Sequence, residues 1–286
     1  MINLIKYVFE TSAFRVCPEN KPFWYTSGKI GPFFINTHFL YGSEKEAVDF
    51  LSYIDECLSD KMTLPQNIFK KVKAQYENNK IYKNVINEMI SYAKENINLD
   101  EIEYVSGGER RDWYFSNIIA HILEKEHITL YKDLKAVVSD SNFNETKEIL
   151  DLEGKKVLHV ADLMNKASSY ERAWVPAIEE LKGKMVASLV VIDRKEGGEE
   201  IIEKLGVKAF SLVKVDDSLF TEALKLGIIN ESQLQMLRKY KENPDETMRD
   251  FLINHPEFLQ EALKSDTKTV GRAKSCIDND LYNLKG

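Results

Sequence analysis

Cysteine, net positive charge and long apolar runs are what this chain has least of. Its three cysteines, Cys17, Cys57 and Cys276, lie far apart and form no CxxC or Cys/His spacing. No zinc pattern results, and a reducing cytoplasm is the expected setting. No apolar run approaches the roughly 20 residues of a membrane-spanning helix. The first ten residues carry an early lysine but neither a long apolar stretch nor a small-residue cleavage site, which reads as no signal peptide. The formal net charge is -7, which argues against nucleic acid as a partner held by bulk electrostatics. A local basic pocket is still compatible with an acidic whole. Internal repeats, heptad arrays and low-complexity tracts are also missing.

What is present suits a globular protein. At 286 residues, 43% hydrophobic and 30% charged, the chain can bury a full core as one large domain, or as one domain with an appendage. Residues 1–42 are aromatic-rich and irregular, and residues 23–36 read as two short strands around a Ser27-Gly28-Lys29 turn. Ser43, with Glu46 at capping-box spacing, starts a helix to about residue 58. Another helical region covers 65–95 and breaks near Asn78-Asn79. From residue 102 onward, strands at 102–105, 128–131, 157–161, 185–192 and 209–213 alternate with helices at 114–125, 170–181 and 198–205. Such alternation argues βαβ units and a mostly parallel sheet with right-handed crossovers. The polar stretch 139–146 reads as mobile. Residues 217–286 read as several short helices. The expected division is a hood and helical segment (1–98), an α/β core (99–216) and a helical appendage (217–286).

The chemistry gathers around residues 155–174. The apolar strand at 157–161 ends at Asp162, a polar loop of Asn165, Lys166, Ala167, Ser168 and Ser169 follows, and a helix begins at Tyr170. A strand, a loop and a helix N-terminus form an anion cradle of backbone N–H groups. Ser168 with Glu171 three residues on is equally a capping box that does no more than start the helix. Three further pieces fall at strand ends of the same sheet. Gly107 and Gly108 offer unhindered backbone, with the forked cations Arg110 and Arg111 after them. Lys132 and Lys135 follow the strand at 128–131, and Asp193-Arg194 ends the strand at 185–192. Each charge alone is more often a solvated surface group. Together they suit a ligand with several phosphates and a hydroxylated sugar.

In this order the pieces resemble a type I phosphoribosyltransferase, and among those an orotate phosphoribosyltransferase. Ser27-Gly28-Lys29 with Pro32-Phe33-Phe34-Ile35-Asn36 is similar to the family's SGRKSPYFFN segment, which lies over the base. Lys132-Asp133-Leu134-Lys135 matches the KEAK part of RKEAK. Val160-Ala161-Asp162-Leu163 stands in the place of VEDV or VDDV, and Asn165 to Ser169 in the place of the TTGGS phosphate loop. Ile192-Asp193-Arg194-Lys195-Glu196 is similar to LDRQE. There are departures: Ala161 replaces the first of two adjacent acids, Lys166-Ala167-Ser168 replaces a threonine and two glycines, and Tyr131 replaces the arginine of RKEAK. Residues 136–151, where the family's mobile catalytic loop is expected, lack its histidine and paired glycines.

The resemblance implies a type I phosphoribosyltransferase fold and transfer of ribose 5-phosphate from phosphoribosyl pyrophosphate to a pyrimidine base, orotate giving orotidylate. It implies that Gly107, Gly108, Arg110, Arg111, Lys132 and Lys135 grip the pyrophosphate, and that Lys135 and Asp162 serve catalysis. Asp162 with Asn165, Lys166, Ala167, Ser168 and Ser169 would hold the ribose and 5′-phosphate. Lys29, Phe33, Phe34 and Arg194 would frame the base. It further implies Mg²⁺ bound through the pyrophosphate ligand, with no direct protein ligand, and a homodimer. The alternative is a catalytically weak or inactive relative that senses nucleotides or phosphoribosyl pyrophosphate, which the departures favour.

Overall fold

A computed structural model of the chain describes residues 2–149 and 151–284. Eleven strands occur among them. The first four are short: β1 (Phe14–Val16), β2 (Phe23–Trp24), β3 (Ile30–Gly31) and β4 (Phe33–Ile35). The others are β5 (Tyr104–Gly108), β6 (Glu126–Leu130), β7 (Ala136–Ser139), β8 (Thr146–Glu148), β9 (Lys156–Met164), β10 (Lys184–Asp193) and β11 (Lys208–Lys214). Contacts divide the chain into two compact units, residues 1–13 with 37–215 and residues 14–36 with 216–286. This differs from the expected three consecutive segments. The helices of 44–96 belong with the sheet, and 14–36 clusters with the C-terminal helices.

The first unit is built on a seven-stranded sheet in the order β11-β10-β9-β5-β6-β7-β8. The pairs from β11 to β6 are parallel, and β6-β7 and β7-β8 are antiparallel. The expected α/β fold with a mostly parallel, helix-flanked sheet is therefore present. β9 lies inside it, between β10 and β5, and is buried almost throughout, as its near-continuous apolar sequence requires of a strand covered on both faces. The chain winds away from β5 toward β6 through the helix Trp113–Ile122. From β9 it winds the other way, toward β10 through Tyr170–Glu180 and toward β11 through Gly198–Lys204. Winding reverses between β5 and β9, the kind of switch point where open α/β sheets leave a crevice beyond the strands' carboxyl ends.

The helices before the sheet dock on Trp113–Ile122 through aromatic rings. Phe50 lies 4.6 Å from Tyr114 and 4.7 Å from Tyr41, centroid to centroid, and the Tyr114 hydroxyl donates to Ala47 O at 2.6 Å. Ser43 caps Glu44–Cys57 by accepting the Glu46 N–H, and Asn79 ends Leu64–Asn78 and caps Lys80–Asn96. Both boundaries fall where the sequence puts them.

Residues 136–148 correct two expectations. The stretch read as mobile, and as the place of a catalytic loop, is the β7–β8 hairpin. Its polar residues make the turn: Asp140 accepts the N–H groups of Asn142 (3.1 Å) and Glu145 (2.7 Å), and Ser139 bonds Thr146 at 2.8 Å. This is side-chain turn chemistry rather than solvation. Phe143 plugs the turn into the core, 1% exposed and stacked on Phe69 at 4.4 Å.

In the second unit β1 pairs with β4 and β2 with β3, both antiparallel. Gly28, at φ 83°, makes the turn between β2 and β3 that the sequence suggests. Five helices accompany these strands: Asp217–Lys225, Glu231–Glu242, Pro244–Asn254, Glu257–Ala262 and Thr267–Asp278. Ile30, Met248, Leu252, Cys276 and Tyr282 form a core of their own. Trp24 stacks on Phe258 at 5.5 Å, and the Tyr282 hydroxyl accepts the Ile30 N–H at 2.8 Å.

Phe143→Ala is expected to cost about 3–5 kcal/mol in chemical denaturation, as for other buried Phe→Ala changes. A loss under ~1 kcal/mol would mean that the hairpin is held by its turn alone.

Candidate functional site

A cleft of about 280 Å³ opens at the switch point, in the first unit. It is lined by Glu109 to Asp112 from the loop after β5, by Lys132, and by residues 161–170 and Trp174. Six of the residues expected at phosphate and ribose, Asp162 and Asn165 to Ser169, line it together with Arg110, Arg111 and Lys132. Gly107, Gly108, Lys135 and Arg194 are not among the lining residues.

Each exception has a physical cause. Gly107 and Gly108 lie inside β5, paired with Thr129 and Leu130 of β6. Their bare faces are filled from the protein: a Cβ on Gly107 would strike Ser116, and one on Gly108 the Trp174 indole. The Gly107 carbonyl accepts Trp113 Nε1–H at 2.9 Å, and the Gly108 N–H is given to Asp112. These glycines serve packing here, not an open backbone face. Lys135 is exposed in a tight turn closed by Tyr131 N–H to Lys135 O at 2.9 Å. Arg194 follows β10, gives its backbone N–H to Met164 O at 2.9 Å and pairs with Glu196 at 3.0 Å.

The other base-site candidates belong to the second unit. Lys29 Nζ is 2.7 Å from both carboxylate oxygens of Asp245. Phe33 is 3% exposed and stacks on Phe14 at 5.1 Å. Phe34 is 36% exposed, with Phe23 and Tyr25 at 6.1 and 5.9 Å.

Asp162 does not end its strand. β9 runs on to Met164, so the carboxyl is buried in the sheet and its Oδ2 has no hydrogen-bond partner. The loop beyond keeps a left-handed turn without glycine, Ala167 standing at φ 49°. Its carbonyl accepts the N–H groups of Tyr170 (3.0 Å) and Glu171 (3.2 Å). The second of these is the bond a Ser168–Glu171 capping box would have taken for the serine hydroxyl. The helix start begins as a π-turn, Tyr170–Trp174, and Lys166, Ser168 and Ser169 are exposed on the loop.

Among the cleft's cations, Arg110 pairs with Asp55 and Lys132 with Glu109. Arg111 and Lys166 make no ion pair among the described residues. The Glu109–Arg110 peptide bond is cis.

The residue that the sequence reading missed is Asp112. β5 and β9 are paired at Tyr104–Val157, Val105–Leu158 and Ser106–His159 only. Past that point Asp112 spans the gap: Oδ2 accepts the Gly108 N–H and Oδ1 the Asp162 N–H, both at 3.0 Å. His159 lies behind, Nε2 3.5 Å from Asp112 Oδ2 and Nδ1 3.0 Å from Ser106 Oγ. The one available signal was an acid just before a helix, and that pattern reads as an N-cap. Here the side chain makes no cap bond. Burial, and then the Asp112 charge, push the Asp162 carboxyl up to about 7, with Arg111 opposing.

No protein-family model matches the chain. An orotate phosphoribosyltransferase of Saccharolobus solfataricus is 37% identical over 114 residues, 40% of this chain and 51% of that protein. One from Sulfurisphaera tokodaii is 33% identical over 90 residues, 32% of this chain and 45% of that one. The chain thus spans about half the length of the curated relatives it matches. Among solved structures, Leishmania donovani UMP synthase superposes with a TM-score of 0.55 at 14% identity, over 84% of this chain and 41% of that one. The Francisella tularensis orotate phosphoribosyltransferase gives 0.54 at 14% identity, over 83% and 96%. The fold is that of the type I phosphoribosyltransferases. Within that fold, the cleft between β5 and β9 is where this chain gathers its cations and its buried acids.

The raised Asp162 carboxyl has a consequence for stability. The unfolded chain releases this proton near the ordinary value of 3.8, and the folded chain near 7. Between those pH values the folded state binds more protons, so this group subtracts stability as pH rises through the window and nothing further above it. Asp162→Asn, nearly isosteric and without the titration, is expected to gain stability over wild type progressively from pH 4 to 7. The gain should reach at most about 4 kcal/mol. Parallel stability–pH curves for the two proteins would contradict the assignment.

Proposed function

We propose that the protein is an orotate phosphoribosyltransferase-like enzyme that transfers ribose 5-phosphate from phosphoribosyl pyrophosphate to a pyrimidine base. The observation that carries this reading is the cleft at the switch point, which brings Arg110, Arg111, Lys132 and Lys166 around the buried Asp162. Displacement of pyrophosphate at the anomeric carbon builds positive charge on the sugar and negative charge on the leaving group. A site needs little covalent chemistry for this; it must position the partners and meet both charges. Arg110, Arg111 and Lys132 hold the pyrophosphate in this reading. Asn165 to Ser169, with the Lys166 ammonium, take the 5′-phosphate at the helix start. Asp162 engages the ribose hydroxyls and faces the developing positive charge.

Mg²⁺, if bound, would come with the pyrophosphate and would supply charge neutralisation on the leaving group, beside Arg110, Arg111 and Lys132. Among the described residues no group of three His, Cys, Asp or Glu side chains is arranged to hold a metal. A cleft rich in cations suits an anion that brings its own metal, held by ligand and water oxygens. Arg194 is assigned to the base, and its fork suits a planar anion. Lys135, exposed and outside the cleft lining, is assigned to a neighbouring subunit's site in a homodimer. Cytoplasmic placement rests on the three free cysteines. No described helix is long and apolar enough to cross a membrane.

Two measurements test this. Purified protein with phosphoribosyl pyrophosphate and Mg²⁺ is expected to release pyrophosphate with orotate and not with purine bases. Tight binding of phosphoribosyl pyrophosphate without release for any base would replace the enzyme by a sensor. Light scattering at micromolar concentration is expected to give twice the 33.0 kDa chain mass; a strict monomer would remove the role given to Lys135.

A further inference from the structure

Asp112 occupies a position that neither a helix cap nor a surface acid explains. It is 8% exposed, and both of its oxygens accept backbone N–H groups, one from each of two strands that have stopped pairing. Backbone N–H groups aimed at both oxygens of a carboxyl favour its charged, acceptor-only form over its protonated one. The next carboxyl, Asp162, is equally buried, and its Oδ2 has no hydrogen-bond partner. Two carboxyls this close in a site shielded from water do not both ionise readily, so one proton is held between them. The geometry puts it on Asp162.

We propose that Asp112 is a positioning residue for Asp162: by bridging the gap between β5 and β9 it fixes that carboxyl at the cleft floor, where the two buried acids share one proton. Asp162 is then both a donor and an acceptor, the pattern that matches a sugar's neighbouring hydroxyls, each of which gives one hydrogen bond and takes others. Engagement of a diol becomes pH-dependent through the pair, not through Asp162 alone. This sugar role rests on the proposed function; the proton sharing does not.

The groups facing the pair are few. Arg111 approaches from the β5 loop and favours ionised Asp162. His159 faces Asp112 from β9, fully buried, with Nε2 3.5 Å from Asp112 Oδ2 and without a hydrogen bond. Tyr114 comes from the helix after the loop and Tyr170 from the π-turn. Burial pushes both phenols far above their ordinary range, and they stay neutral. Tyr170 also packs edge-on to His159 at 5.1 Å and bonds Ser188 at 2.6 Å. Arg111 is thus the cation that acts on the Asp162 carboxyl, against burial and the Asp112 charge.

Carboxyl-carbon NMR titration reads the pair directly, and calorimetry with ribose 5-phosphate across pH 5–9 reads its use. Wild type is expected to show one aspartate titrating near neutrality. In Asp112→Asn that midpoint should fall by about one pH unit or more, with burial, the larger cause, left in place. The pH profile of ribose 5-phosphate binding should move by the same amount. Asp162→Asn should abolish the near-neutral titration while leaving the fold intact, because Asp162 holds Asp112 through its backbone N–H. This second variant decides the matter if Asp112→Asn does not fold. A near-neutral carboxyl titration that persists in Asp162→Asn, or an unmoved midpoint in folded Asp112→Asn, would overturn the proposal. Wild type that titrates as described yet binds neither ribose 5-phosphate nor phosphoribosyl pyrophosphate would uphold the pair and sink the proposed function.

Discussion

One carboxylate holds the site together. A parallel sheet that winds in opposite directions from two adjacent strands must part at their carboxyl ends, and parting strands leave buried N–H groups without ladder acceptors. Each such group left unsatisfied costs about 1–3 kcal/mol. Asp112 answers two of them at once, from Gly108 and from Asp162. The crevice is therefore open to a ligand and yet has a satisfied floor. The same arrangement buries a second acid beside the first, and burial, then the Asp112 charge, raise the Asp162 carboxyl.

The cleft's charge follows from what is already spoken for. Arg110 is held by Asp55 and Lys132 by Glu109, so both cations are oriented before any ligand arrives. Arg111 and Lys166 supply the charge left over for an anion. For a local reason, the loop at 165–169 tolerates Ala167 and Ser168 where the resembled family has two glycines. A left-handed alanine costs about 1–2 kcal/mol, and Ala167 is buried in the core with its carbonyl doubly bonded. Tyr170 and Trp174 anchor the turn that follows. Trp174 also fills the bare face of Gly108, so the loop after β9 and the end of β5 are packed as one piece.

The second unit draws on chain segments 180 residues and more apart. Its core needs Trp24 and Ile30 from one end and Phe258 and Tyr282 from the other. An aromatic segment read alone is a hood; with its partners it is half of a small α/β body with its own interior.

Local physics made most of the first unit legible in the sequence. Strand and helix periods, the Ser43 cap, the break at Asn78-Asn79 and the polar loop of Asn165 to Ser169 all depend on neighbours within a few residues, and all are found in place. Arg110, Arg111, Lys132 and Lys166 could be picked out because strand ends in one sheet converge. Tertiary structure decided the rest, for reasons no short window contains. Whether 136–148 is a loop or a hairpin turned on Phe143 meeting Phe69. Whether Gly107 and Gly108 were open or filled turned on Ser116 and Trp174. The partner acid of Asp162 was not its neighbour at position 161 but Asp112, 50 residues earlier, and only the parting of β5 and β9 put the two side by side.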